Sequence, residues 1–371
     1  PDHQDLPENK ERSTMGRLHD LYDQQGQSPW LDNLRRGWMT SGELQDWIDR
    51  GVRGLTSNPS IFAKAMTETD DYDAELETLA KAGTSVEDAY WQLVVGDIRR
   101  ALELLRPVHD SSGGEDGYVS VEVAPDLAND TDGTVVAARQ LADRIVAPNL
   151  YIKVPATAEG VPAIRTLIGE GRSINVTLIF SLERYAEVME AYIAGLEDRD
   201  AADLSSISSV ASFFISRVDV EVDRRLDEIG SEAALGLKGK AAIAQGTLAY
   251  QRFLATFTGP RWEALAAKGA RVQRPLWAST STKDPSYPDT LYVDTLIGPD
   301  TVNTLPDATL AAFEDHGTVA RTVDADPAAA QQVVDDLAAL GIDLEEVATK
   351  LEGEGVGSFA KSFDEVIATL G

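Results

Sequence analysis

Lys153 stands in the middle of Asn149-Leu150-Tyr151-Ile152-Lys153-Val154-Pro155-Ala156-Thr157, whose β-branched and aromatic residues predict a short strand. Alternation puts Leu150, Ile152 and Val154 on one face and Tyr151 and Lys153 on the other. If both faces are interior, Lys153 is a candidate nucleophile. Burial disfavours the ammonium, and a neutral amine attacks a carbonyl to give a Schiff base, an electron sink for cleaving the carbon–carbon bond beyond it. Asp32 and Glu122 are the candidate proton carriers, one for a substrate hydroxyl and one for a water. A lysine held in an ion pair with Glu122 or Asp32 explains the same residues, and from the residues alone the two readings stand even.

Eight strand candidates would position these side chains: Pro29–Asp32, Val52–Pro59, Tyr118–Val123, Leu150–Pro155, Ser173–Phe180, Ile207–Phe213, Arg274–Ala278 and Leu291–Val293. Most are separated by helical patterns, which predicts a parallel sheet, and eight units favour a closed α/β barrel, a (β/α)8 TIM barrel with additional helices. Thr40 and Glu43 have capping-box spacing, so Thr40 is the expected N-cap of a helix ending at Arg50. At the C-terminus, helices are expected over Leu344–Glu352 and Ser358–Leu370, with the Gly353-Glu354-Gly355-Val356-Gly357 run as the turn between them. The last helix would cover either the barrel mouth or an oligomer interface. Residues 1–27 read as a leader with a short helix around Met15–Gln25, and residues 28–371 as a single barrel domain with helical insertions.

The period-2 rule then sorts the strands. Val119, Val121 and Val123 oppose Ser120 and Glu122; Ile174, Val176 and Leu178 oppose Asn175 and Thr177. Thr56 shares a face with Asn58, Ser212 with Phe214, Trp277 with Ser279, and Trp30 with Asp32. With the apolar faces under the outer helices, Asp32, Thr56, Asn58, Glu122, Lys153, Asn175, Thr177, Ser212 and Ser279 point into the barrel near strand C-termini, with Lys153 the only basic member. Each buried polar group left unpaired costs about 1–3 kcal/mol, so such a set stabilises a core poorly and makes sense as one site at the C-terminal mouth.

Composition narrows the partners. Net charge is −29, from 62 acidic and 33 basic residues, which argues against nucleic acid or an anionic membrane and confines any phosphate site to a local positive pocket. There is no cysteine, hence neither a disulfide nor a thiolate nucleophile, and the four histidines are scattered without ligand spacing, so no metal or other cofactor is expected. No apolar run is long enough to span a bilayer and Pro1–Gln27 has no apolar signal core, as suits a cytoplasmic protein.

Two stretches, Leu55-Thr56-Ser57-Asn58-Pro59-Ser60-Ile61-Phe62 and Tyr151-Ile152-Lys153-Val154-Pro155-Ala156-Thr157, resemble the signature segments of transaldolases. Ile174–Ser181 and Ser212–Asp219 are similar to two further blocks, in the family's order, and the Trp277–Lys283 segment and the chain length look most like the longer bacterial type. The resemblance implies a metal-free Schiff-base barrel of the pentose phosphate pathway. Such an enzyme moves a dihydroxyacetone unit from sedoheptulose 7-phosphate to glyceraldehyde 3-phosphate, giving erythrose 4-phosphate and fructose 6-phosphate. By position, Lys153 matches the Schiff-base lysine, Asp32 the acid/base for the substrate hydroxyl, and Glu122 with Thr177 the pair holding the water. Thr56, Asn58, Asn175 and Ser212, with Phe214 and Ser279 nearby, would bind the three-carbon unit, and Arg217 the phosphate.

Shorter family members place a second phosphate-binding Arg just after the Ser corresponding to Ser279; here Ser279-Thr280-Ser281-Thr282-Lys283 has none, leaving Lys283 as a point charge. The expected partners are small sugar phosphates, neither nucleic acid nor membrane, with the chain a monomer or homodimer. Two rivals remain: an aldolase of the same family releasing free dihydroxyacetone, whose members are shorter and carry a tyrosine in place of Glu122, and a non-catalytic sugar-phosphate-binding barrel.

Overall fold

The computed structural model describes residues 16–371; the loose stretch expected ahead of the first helix lies outside them, and that helix runs over Arg17–Gln25. Eight parallel strands close into a barrel in sequence order: β1 Gln27–Leu31, β2 Leu55–Thr56, β3 Val119–Glu122, β4 Leu150–Pro155, β5 Ile174–Ile179, β6 Ser209–Phe214, β7 Arg274–Ala278 and β8 Thr301–Leu305. Helices between the strands cover the outside, as the expected TIM barrel requires. Among the described residues, no helix is long and apolar enough to cross a membrane.

Local chemistry explains the entries into helices near the mouth. Asn58 caps Pro59–Glu68, its Oδ1 accepting the Ile61 N–H at 2.9 Å, with Pro59 at the first helical position. Ser181 caps Leu182–Asp198 by accepting the Arg184 N–H at 3.1 Å.

Four expectations are corrected. Leu291–Val293 is not a strand: Leu291–Asp294 forms one helical turn, tied by the Thr290 hydroxyl to Asp294 at 2.7 Å. The eighth strand is Thr301–Leu305, paired to β1 over its whole length. Thr40 is not an N-cap; it lies inside the Arg36–Ser41 helix and donates to the Gly37 carbonyl at 2.9 Å, and Gly42, at φ 93°, breaks the chain before Glu43–Asp49. The C-terminal glycines make no turn: Leu344–Leu370 is one helix. Three glycines lower its intrinsic helicity by about 1 kcal/mol each relative to alanine. The middle one, Gly355, meets the Leu178 side chain so closely that a Cβ there would lie 2.9 Å from Leu178 Cδ2.

The fourth correction concerns faces. Trp277 points outward, its Nε1 donating to the Leu296 carbonyl at 2.9 Å and its ring edge-on to Phe213, which in turn packs on Tyr185 of an outer helix. The inward face of β7 is therefore that of Arg274, which reaches Ser28 Oγ at 3.0 Å and Asp116 Oδ1 at 3.0 Å, so Lys153 is not the only inward base. Leu178 also leaves the alternation, because β5 bulges between Val176 and Ile179 and Leu178 takes a left-handed φ of 59°.

The N-terminal end of the barrel is closed by a polar plug. Asp116, fully buried, accepts from Ser28 at 2.7 Å, Trp30 Nε1 at 3.1 Å, Arg53 at 2.6 Å and Arg274 at 3.0 Å. Above it Tyr151 stacks on Tyr118 with centroids 4.1 Å apart and faces Trp30 at 6.1 Å. Burial would raise the Asp116 carboxyl, but the Arg274 and Arg53 guanidiniums outweigh it and hold it below the usual range.

Candidate active site

On the inward face, Glu122, Lys153 and Asn175 stand side by side, because β3 to β5 register Glu122 against Lys153 and Lys153 against Asn175. Lys153 is 5% exposed; its Nζ lies 3.5 Å from Glu122 Oε2 and donates to the Ser57 carbonyl at 3.3 Å. The contact allowed for in the ion-pair reading is therefore real. It is not a fixed charge pair, because burial pushes the Glu122 carboxyl up to about 7, with the Lys153 ammonium opposing the shift. Near neutrality Glu122 is divided between its two forms, the condition a group needs in order both to give and to take a proton.

Asn175 is held on both sides, its Nδ2 donating to Ser120 Oγ at 3.0 Å and its Oδ1 accepting from Ser212 at 2.7 Å. These bonds lock the amide and fix its orientation beside the lysine. Thr177 lies two residues further along β5, opposite Pro155. Its Oγ1 is buried without a hydrogen bond within the protein, and Glu122 Oε2 has only the longer contact to Lys153, so both have capacity for a small polar ligand.

Asp32 follows β1 and accepts the Thr56 hydroxyl at 2.7 Å. Burial raises its carboxyl above the ordinary range, while Lys153, the Thr56 bond, Arg217 and Lys283 pull it back. Asp32 thus sits in the field of three cations from three elements. Arg217, in the first turn of the Ser216–Ile229 helix, lies with its guanidinium 5.3 Å above the Phe214 ring, and Phe214 packs on Phe180 at 5.0 Å. Burial depresses Lys283, and Arg217 depresses it further. Two cations that repel at this range become an attractive pair around an anion.

The Lys283 segment is tied down to the Arg217 helix. Tyr287 donates to Asp223 at 2.6 Å and Tyr292 to Asp219 at 2.7 Å, both carboxylates belonging to that helix. The segment's first residue, Ser279, is the one candidate whose face was misread. It lies past the end of β7 at φ 55°, with its Oγ 2.9 Å from Ser216 Oγ, beside the Arg217 helix and not in the Lys153 row. Asn58 caps a helix with its Oδ1, which fixes the amide and leaves its Nδ2 as the donor for a ligand. Sequence reasoning missed Thr304, on β8, whose Oγ1 lies 2.6 Å from that of Thr56. It also missed Ser120 as a partner of Asn175, and the Ser57 carbonyl as a partner of Lys153.

A buried lysine near two carboxylates at the C-terminal mouth of a barrel, with two further cations nearby, is an arrangement that comparison with known proteins can place. A family model described as transaldolase/fructose-6-phosphate aldolase matches residues 29–370. The chain belongs to that family. The transaldolase of Thermobifida fusca is 52% identical over 92% of this chain and 94% of its own length. Transaldolase 1 of Streptomyces coelicolor is 50% identical over 96% and 95%, and the transaldolase of Saccharopolyspora erythraea 51% over 93% and 94%. Membership makes the chain an enzyme of the transferase class, and Schiff-base chemistry at a barrel lysine is consistent with the family. The resemblance drawn from short motifs therefore extends over the whole barrel and the C-terminal helix of a transaldolase-family protein.

Proposed function

We propose that this enzyme transfers a dihydroxyacetone unit from sedoheptulose 7-phosphate to glyceraldehyde 3-phosphate, and reversibly from fructose 6-phosphate to erythrose 4-phosphate, through an imine at Lys153. The observation that carries the reading is the buried row Glu122–Lys153–Asn175, with the Asp32 carboxylate close enough to feel the Lys153 charge. The Lys153 amine attacks the C2 ketone, and Glu122, with Thr177, holds the water that leaves. Asp32 then takes the C4 hydroxyl proton as the C3–C4 bond breaks, the electron pair passing into the iminium to give an enamine. The enamine attacks the incoming aldehyde, Asp32 returns its proton, and water held by Glu122 hydrolyses the imine. Asn175 and Ser212, with Thr56 and Asn58, are assigned to the hydroxyls of the three-carbon unit, with Phe214 and Ser279 bordering it.

Simple cleavage with release of dihydroxyacetone is the second reading, since the matching family model also covers aldolases. A carboxylate at Glu122 and identity near 50% to full-length transaldolases favour transfer. Turnover of fructose 6-phosphate should therefore depend on added erythrose 4-phosphate. Release of stoichiometric dihydroxyacetone without any acceptor would establish the aldolase instead.

Outcomes follow for three individual residues. Glu122→Gln keeps the shape but loses the proton exchange, and kcat should fall by about 10²–10⁴-fold. With a carboxyl that titrates at about 7, the wild-type kcat profile should bend near neutrality, and the variant's should lose that bend. Arg217→Met should raise KM for fructose 6-phosphate about a hundredfold and Lys283→Met about tenfold, the guanidinium binding phosphate through two donors and the ammonium as a point charge. Neither should change KM for unphosphorylated fructose, as steady-state kinetics with both sugars would show.

A further inference from the structure

We infer that Thr304 is a positioning residue for Asp32, acting through Thr56 to hold the carboxylate in its proton-accepting form and geometry. This rests on the reading of Asp32 as the base for the substrate hydroxyl. Thr304 Oγ1 lies 2.6 Å from Thr56 Oγ1, and Thr56 Oγ1 lies 2.7 Å from Asp32 Oδ1. An ionised carboxylate only accepts, so the single hydroxyl proton of Thr56 goes to Asp32, and the contact with Thr304 is filled by the proton of Thr304. The hydrogen bonds thus run one way, from Thr304 on β8 to Thr56 on β2 to Asp32 after β1. Each donor in such a chain polarises the next, strengthening the bond that reaches the carboxylate.

The chain is built into the barrel wall. Thr304 is 3% exposed and Thr56 1%, and neither is free to exchange its partner for bulk water. The neighbouring Asn303 accepts the Thr280 hydroxyl proton at 2.8 Å, a contact that fixes β8 independently of the Thr304 hydroxyl. The other charged groups around Asp32 are Lys153 on β4, Arg217 on the Ser216–Ile229 helix and Lys283 after β7, which favour its ionised form, and Glu122 on β3, whose carboxyl Asp32 raises. Burial opposes them all, and the donor chain adds to the groups that favour the ionised form.

The test compares Thr304→Val, Thr304→Ser and Asp32→Asn in fructose 6-phosphate turnover with erythrose 4-phosphate across pH. Thr304→Val should lower kcat about fivefold to tenfold, the loss of one net hydrogen bond to the reacting group, with KM within about twofold of wild type. The acid limb of its kcat profile should move to higher pH, because the ionised carboxylate has lost support. Thr304→Ser, which keeps the hydroxyl, should restore both. A Thr304→Val enzyme with wild-type kcat and acid limb, beside an inactive Asp32→Asn, overturns the inference about Thr304 alone. Wild-type turnover by Asp32→Asn overturns the Asp32 reading beneath it.

Discussion

Lys153→Met yields a folded barrel in which kcat for sugar transfer falls by at least about 10,000-fold and no borohydride-stable adduct forms with fructose 6-phosphate. The expectation rests on the lysine's isolation. Among inward-facing bases, Arg274 is at the opposite end of the barrel, paired to Asp116, and cannot substitute as an amine. Methionine fills the lysine stem without adding a polar atom. The fold tolerates the loss because the remaining partner adjusts: Glu122, already raised to about 7 by burial, becomes neutral by taking a proton. Circular dichroism and the thermal midpoint should therefore stay near wild type while activity disappears. Retained turnover in this variant would place the chemistry elsewhere.

The second large effect is on stability. Asp116→Ala should lower the unfolding free energy by about 3–5 kcal/mol, since it strands the buried Arg274 guanidinium and leaves Ser28 and Trp30 without their acceptor. The solvent-screened pair Arg165–Asp198, also at hydrogen-bonding distance, should contribute far less. Denaturant titration of Asp116→Ala and Asp198→Ala side by side checks the contrast. The effect has a pH signature. Because the folded state holds the Asp116 carboxyl below its usual range, its contribution is complete above the unfolded carboxylate pKa of about 4 and fades as pH falls through the folded value. The stability gap between wild type and Asp116→Ala should therefore narrow in acid and stay constant above neutrality.

The barrel was legible because its strands alternate with helices and its polar residues recur on one face of each strand. Glu122, Lys153 and Asn175 needed only the period-2 rule to be placed together, and the register confirms it. The misreadings have local causes. Thr301–Leu305 puts Thr304 inward among polar neighbours, so it lacked an apolar run, although β-branched residues between Pro299 and Pro306 marked it as a strand. Trp277 and Arg274 exchanged faces because hydrophobicity alone sends a tryptophan inward no more than outward when both sides are buried. Ser279 and Leu178 escaped alternation through left-handed backbone that no residue type announced. The Asp116 plug is assembled from β1, β7 and the approaches to β2 and β3, and no sequence spacing connects those four places. Nor did the glycines at 353, 355 and 357 reveal a continuous helix, because the close approach of Gly355 to Leu178 is a tertiary fact.

The central claim, imine formation at Lys153, is tested most directly by peptide mass spectrometry of the wild-type enzyme after borohydride reduction in the presence of fructose 6-phosphate. A reduced three-carbon ketol unit on the peptide containing Tyr151–Pro155, localised to Lys153 and dependent on the sugar, is the predicted result. No adduct, or an adduct on another lysine, would contradict it.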